Sequence, residues 1–322
     1  MSTFLNLSPS YIKDAATSLR EGNLVAFPTE TVYGLGADAS NKGAVKKLYK
    51  AKGRPKDHPV IVHISSIYHL NKWARDIPDY AMKLADVFWP GPMTLILPRT
   101  ELAKDFITGS QNNVGIRVPS HAMALELLEE FESQGGLGVA APSANRFGAV
   151  SPTSAADVHA ELSNYLGPTD LVLDGGSSLH GLESTIINCT QISPNILRPG
   201  AITSSMINEL IGITIKSSSE TNGIQINTPG LLDSHYSPRA EVYLNSLAGA
   251  GDGFIALACF PTPPGAIRLA SPLNNLEFAQ MLYKALRLTD TMKLKRVFVI
   301  PPQGEDIAVA IYDRLKRCAF KG

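Results

Sequence analysis

Hydrophobic positions in the first 200 residues alternate between two periods. Behind Ser8-Pro9, a cap followed by a first helical position, Ile12, Ala16 and Leu19 recur at helical spacing until Gly22 stops the run. Residues 24–27 form a short apolar run of strand type. Ala44, Val45, Leu48 and Tyr49 then mark a helix face, and 60–64 is a strand rich in β-branched residues. Helices are predicted over 81–88, ended by Pro90-Gly91-Pro92, and over 122–131. Apolar runs at 94–97, 114–118, 138–141, 171–173 and 185–188 predict further strands. Such alternation predicts an α/β domain around a mixed, twisted sheet.

At 217–227 the periodicity fades into Ser, Thr, Asn and Gly, and Thr228-Pro229-Gly230 carries this linker character on to about Pro238. Strand patterns return at 241–244, 254–259 and 266–269. A helix follows at 276–288, a strand at 297–300 and a last helix at 306–320. The expected organisation is a catalytic domain over 1–214, a linker over 215–238 and a small Rossmann-like α/β domain over 239–322. A length of 322 residues suits two domains.

Lysine plus arginine and aspartate plus glutamate balance at 29 each, which weighs against a protein that grips nucleic acid by neutralising phosphates. Cys189, Cys259 and Cys318 are scattered, with no CxxC pair, so neither a zinc site nor a disulfide framework is expected. Residues 1–10 lack a basic segment followed by an apolar core, and no apolar run reaches the ~20 residues of a spanning helix, so a cytoplasmic protein is expected.

Candidate chemistry concentrates in loops. Seven of the fifteen residues from 42 to 56 are cationic: Lys42, Lys46, Lys47, Lys50, Lys52, Arg54 and Lys56. Alone, this run suits a solvated helix face. Lys52 and Arg54, however, are expected beyond the helix, in a loop before the next strand, where open α/β domains bind ligands. A guanidinium there grips a phosphate or carboxylate with two parallel hydrogen bonds.

Gly34, Gly36 and Ala39 superficially fit the dinucleotide fingerprint. Six residues separate the strand end from Gly34, though, and no acid ends the next strand, so that reading is rejected. No phosphate-binding GxxxxGK[ST] loop, HExxH pair or GxSxG elbow occurs. The loop Pro142-Ser143-Ala144-Asn145 either caps a turn or contacts a phosphate or sugar. Ser184-Thr185 and Arg198-Pro199-Gly200 stand at similar strand edges, and His63 inside an apolar strand fits either a core or a site.

Together these segments resemble the Sua5/YrdC family. The resemblance rests on 27–37, Lys52-Gly53-Arg54-Pro55, Ser143-Ala144-Asn145, Glu183-Ser184-Thr185-Ile186-Ile187, Ile196-Leu197-Arg198-Pro199-Gly200 and His235-Tyr236-Ser237-Pro238, in family order. It implies a YrdC-like sheet domain with the extra C-terminal domain of longer Sua5 members. It also implies synthesis of threonylcarbamoyl-adenylate from L-threonine, bicarbonate and ATP, with Mg²⁺ accompanying the ATP, for modification of tRNA adenosine 37. The product would pass to a tRNA threonylcarbamoyltransferase complex. By the same resemblance Lys52, Arg54, His58, Asn113, Ser143, Asn145, Ser151, Arg198 and His235 contact the nucleotide. Lys52 and Arg54 would be catalytic, and Thr31, His63, Arg117 and Ser184 line the threonine pocket. The family usually has Asn where this chain has His58, and its linker commonly carries basic residues that are absent from 231–234 here. Two other readings stay open: a double-stranded RNA-binding module using the 42–56 face, and a carbamoyl-transfer module.

Overall fold

A computed structural model describes residues 4–5, 9–212, 215–217 and 236–319. The chain enters through β1 (Phe4–Leu5), α1 (Pro9–Arg20), β2 (Val25–Phe27), β3 (Gly34–Asp38), α2 (Lys42–Lys52) and β4 (Ile61–His63). It continues through α3 (Leu70–Trp73), α4 (Asp79–Phe88), β5 (Met93–Pro98), α5 (Asp105–Thr108), β6 (Asn113–Arg117), α6 (Ala122–Ser133) and β7 (Val139–Ala140). Then come α7 (Ala155–Leu162), β8 (Leu171–Leu173), β9 (Thr185–Asn188), β10 (Asn195–Arg198), α8 (Ser204–Ile211) and β11 (Lys216–Ser217). These strands form one mixed sheet in the order β1-β8-β2-β3-β7-β4-β6-β5-β9-β10-β11. After it, β12 (Glu241–Leu244), β13 (Gly253–Ile255), β14 (Ile267–Ala270), α9 (Asn275–Thr291), β15 (Arg296–Val299) and α10 (Ile307–Cys318) build a second sheet. That sheet is all parallel, in the order β12-β15-β13-β14. The α/β expectation therefore holds, with a mixed sheet and a smaller parallel one.

The central strands are apolar on both faces because helices cover both. On one side Leu35, Ala37, Val62, Leu95 and Ile116 pack with Leu48, Trp73 and Leu84. On the other, Val25, Phe27 and Val139 pack with Leu19, Leu127 and Phe131. Burial on both faces erases the alternation that would mark a one-sided sheet.

The segment holding Gly34 and Gly36 is β3, a strand the sequence pattern does not predict, paired antiparallel with β2 and β7. Its glycines answer a packing need: a Cβ on Gly36 would stand 2.9 Å from both Phe27 Cε1 and Val139 Cγ1. Lys52 closes α2 instead of lying beyond it. The sequence pattern also missed β10, too short and too punctuated by prolines to show a period, and α7 and α8, two eight-residue helices. Of the expected linker, 218–235 lies outside the described residues, and His235 with it.

Candidate active site

The end of α2 sets the first side chains. Asn41 caps its start, its side chain accepting from the backbone N–H groups of Gly43 and Ala44. Gly53 ends it in the left-handed conformation, φ 62°. That sharp turn aims Arg54 inward while Lys42, Lys46, Lys50 and Lys56 stay exposed. The basic run thus divides into a solvated face and two buried cations, Lys52 and Arg54. Arg54 donates through Nη2 to the Pro59 carbonyl at 2.8 Å, and its guanidinium stands 5.6 Å from the centroid of the Phe147 ring. The Lys52 ammonium donates to the carbonyl oxygens of Ser143 and Asn145. Burial first, then Arg54, pushes its pKa well below the usual lysine value, with Glu161 opposing.

Arg54 opens onto a cavity at the middle of the large sheet. Thr31 from the β2–β3 loop, His63 at the end of β4, Arg117 at the end of β6 and Ser143 after β7 share its wall. Glu183 and Ser184 before β9, Arg198 at the end of β10, and Tyr236 complete it. The wall therefore carries three arginines against one carboxylate. Arg117 is held from behind by Glu30, Nη2 to Oε1 at 2.5 Å, and by the Gly91 carbonyl. Arg198 donates through Nε and Nη2 to the Ser184 carbonyl at 3.1 and 3.0 Å. Ser184 Oγ shares a 2.8 Å hydrogen bond with Thr94 and accepts from Arg198. Neither neighbour is a base, so this serine is not set up as a nucleophile. The Thr31 hydroxyl bonds to that of Thr29 at 2.8 Å.

His63 is buried, and Nδ1 has no hydrogen-bond partner. Burial, then Arg117, pushes its pKa down to about 3, so the ring is neutral near pH 7. Glu183 is pulled the other way from what burial alone would do: Arg314 and then Arg198 outweigh desolvation and bring its pKa down to about 2. Such a wall favours anions, offers neutral donors and acceptors beside them, and lacks a serine–histidine or cysteine–histidine pair.

Seven of the thirteen sequence-predicted residues share the wall: Arg54, Ser143, Arg198, Thr31, His63, Arg117 and Ser184. Lys52 and Asn145 stand just behind it. Asn145 is buried, donating through Nδ2 to the Arg146 and Ala149 carbonyls, and its Oδ1 has no hydrogen-bond partner. Ser151 reaches the site only through Glu183, donating to Oε1 at 2.6 Å. His58 is half-buried outside the wall, its ring edge-on to Phe147 at 5.3 Å and its carbonyl accepting from Arg54 and Tyr49. Asn113 is not brought to the cavity. It begins β6, two residues before the Gly115 that pairs with Ile61, whereas the cavity meets β6 at its other end. Glu30, Thr94 and Glu183 escaped sequence reasoning. Glu30 and Glu183 lie inside matched segments but draw no notice, because a single acid in a loop looks solvated until its arginine is seen. Among the described residues no His, Cys, Asp or Glu cluster suits a metal ion, and no helix is long and apolar enough to cross a membrane.

Comparison with known proteins gives this geometry a family. The Sua5/YciO/YrdC profile, described as telomere recombination, matches residues 17–200, and the profile of the threonylcarbamoyl-AMP synthase C-terminal domain matches 202–319. A Pyrococcus abyssi protein named threonylcarbamoyl-AMP synthase is 45% identical over 234 residues, 72% of this chain and 66% of its own length. A Schizosaccharomyces pombe protein of the same name is 39% identical, over 96% of this chain and 88% of its own. The crystal structure of P. abyssi Sua5 complexed with L-threonine superposes with a TM-score of 0.87 at 35% identity, covering 98% of this chain and 96% of that one. The chain belongs to the Sua5/YciO/YrdC family, among the members in which that domain is followed by the Sua5 C-terminal domain.

Proposed function

We propose that this protein is an L-threonylcarbamoyladenylate synthase, joining L-threonine, bicarbonate and ATP and releasing pyrophosphate and water. The observation that carries the reading is the convergence of Arg54, Arg117 and Arg198 on one cavity that lacks a nucleophile–base pair. The name shared by its relatives and the threonine complex of a structural neighbour support it.

In this reading the threonine amine adds to carbon dioxide derived from bicarbonate and gives up a proton, leaving a carbamate. A carbamate oxygen then attacks the α-phosphorus of ATP, and the bond to the bridging oxygen breaks as pyrophosphate leaves. No covalent enzyme intermediate is needed. The task is to hold two anions in line and spread the developing negative charge. Arg117, fixed by Glu30, takes the threonine carboxylate. Neutral His63, Thr31 and Ser184 offer hydrogen bonds to the rest of the amino acid. Arg54 and Arg198 take the phosphates, and Ser143 and Asn145, on the loop held by Lys52, complete the nucleotide side. Both carboxylates near the cavity, Glu30 and Glu183, are engaged by arginines. A Mg²⁺ ion arriving with ATP would accordingly keep phosphate and water ligands, and the steps carried by these residues do not pass through it. The product would serve threonylcarbamoylation of tRNA adenosine 37 in the cytoplasm, passed to a tRNA threonylcarbamoyltransferase complex.

The test is pyrophosphate release from ATP with and without L-threonine and bicarbonate, with mass analysis of the nucleotide. Release that needs both, with a threonylcarbamoyl-AMP mass, is expected, and Arg54→Ala should abolish it while the circular dichroism stays unchanged. Wild-type turnover in that variant would sink the residue assignment. Release without threonine would change the substrate. No release, with salt-sensitive binding of double-stranded RNA, would move the reading to the exposed face of α2.

A further inference from the structure

Among the described residues, the second sheet's layer reaches the Glu183 carboxylate on the cavity wall through two side chains, Arg314 and Tyr283, of which only Arg314 carries a charge. Arg314 on α10 is fully buried. Its Nε donates to Glu183 Oε2 at 2.8 Å, and its Nη2 to the Pro199 carbonyl at 3.0 Å. Glu183 directly precedes Ser184, and Pro199 directly follows Arg198. A single guanidinium from the C-terminal unit therefore grips the chain next to two groups on the cavity wall. Tyr283 on α9 donates to the same carboxylate at 2.9 Å.

Glu183 itself lines the cavity. An uncompensated carboxylate there would repel any bound anion and draw Arg198, the nearest wall cation in the chain, toward itself. The ion pair that supplies most of the neutralising charge, with Arg314, comes from outside the large-sheet unit. We propose that Arg314 is a positioning residue for the anion subsite: it takes up the charge of Glu183 and braces the 183–184 and 198–199 segments. The C-terminal unit then contributes to substrate binding without touching substrate. This rests on the reading of the cavity as an ATP site.

The mechanism makes a distinctive demand. When Arg314 is replaced by methionine, Ser151 and Tyr283 still hold the Glu183 side chain, so the chief loss is charge compensation. Removing the charge of Glu183 as well should then restore anion binding, which a purely structural brace would not predict. An ammonium at position 314 reaches Glu183 or Pro199 but lacks the fork that holds both.

The experiment compares full-length wild type, Arg314→Met, Arg314→Lys and the double variant Arg314→Met, Glu183→Gln. Each is assayed well below its melting midpoint, with KM for ATP and for L-threonine and calorimetric Kd for ATP. Arg314→Met should raise KM and Kd for ATP by about tenfold, more than it raises KM for threonine. Arg314→Lys should fall between, and the double variant should recover most of the loss. ATP affinity within about twofold of wild type in a folded Arg314→Met protein would overturn the proposal. So would equal losses for both substrates, or a double variant no better than the single one. If Arg314→Met does not fold, the lysine and double variants decide: ATP affinity in the order wild type, lysine, double supports a geometric brace alone and overturns the charge argument, whereas a double variant at or above lysine supports it. A wild type that binds ATP but makes no product would refute the proposed reaction while the ATP Kd series still judged Arg314. A wild type that binds no ATP would refute both.

Discussion

Replacing Lys52 by methionine separates two roles that the sequence leaves merged. Its ammonium is buried and directed at the Ser143 and Asn145 carbonyls, so it ties the end of α2 to the loop that carries Ser143 to the cavity. Hydrogen bonds from a charged donor are worth about 1.5–3 kcal/mol each, giving roughly 3–6 kcal/mol for the pair. Methionine keeps the length but offers no donor. It also relieves the desolvation that depresses this lysine's pKa, which offsets part of the loss and leaves a net cost of about 2–4 kcal/mol. For a unit of this size each kcal/mol moves the melting midpoint by about 2–4 °C, so a loss of ~3 kcal/mol predicts a fall of about 6–12 °C. The readout is clean, because the chain's two tryptophans, Trp73 and Trp89, both pack in the large-sheet core and report on that unit. A slackened loop should also raise KM for ATP, while kcat at saturation falls less. An unchanged midpoint with abolished turnover would refute the reasoning, since it would mean that the ammonium acts on the nucleotide and not on the loop.

Glu183→Gln should destabilise the protein near neutral pH and progressively less in acid. The folded-state pKa of about 2 lies below the usual glutamate value of 4.5. Ionised Glu183 therefore stabilises above about pH 4.5 and loses that contribution as pH falls toward about 2, a span worth about 3 kcal/mol. Denaturant titrations at stepped pH check this, and a pH-independent gap between variant and wild type would contradict it. Arg117→Met should cost about 3–5 kcal/mol by leaving Glu30 buried without its partner. The double variant Arg117→Met, Glu30→Gln should regain stability in a thermal melt but not threonine affinity. Recovery of threonine affinity as well would show that Arg117 only supports the fold.

How much of this was legible beforehand follows from the range of each interaction. Helices and strands of the large sheet show in local periodicity, because each buries a continuous stripe. Arg54, Arg117, Arg198 and Ser184 stand at strand or helix ends, where sequence reasoning places functional loops, and they do meet. Lys52 was misjudged by one turn of helix, because a basic run reads as one solvated face although its last members turn inward at Gly53. Gly36 looked like part of a nucleotide fingerprint, yet it serves the packing of Phe27 against Val139, a contact set by the pairing of strands about a hundred residues apart in sequence. The Glu183–Arg314 pair was the least accessible, since its partners lie 131 positions apart and in different sheets' layers. A trace of it survives in the local pattern all the same. Ile307, Ala310, Ile311 and Leu315 form the buried stripe of α10, and Arg314 sits within that stripe as a charge where an apolar residue belongs. A cation on the inner face of an amphipathic helix must find a buried acid or it would unfold the helix's docking. Among the described residues, the acid of the large-sheet unit that it pairs with, Glu183, is on the wall of the cavity, and that ties the C-terminal unit's packing to the site.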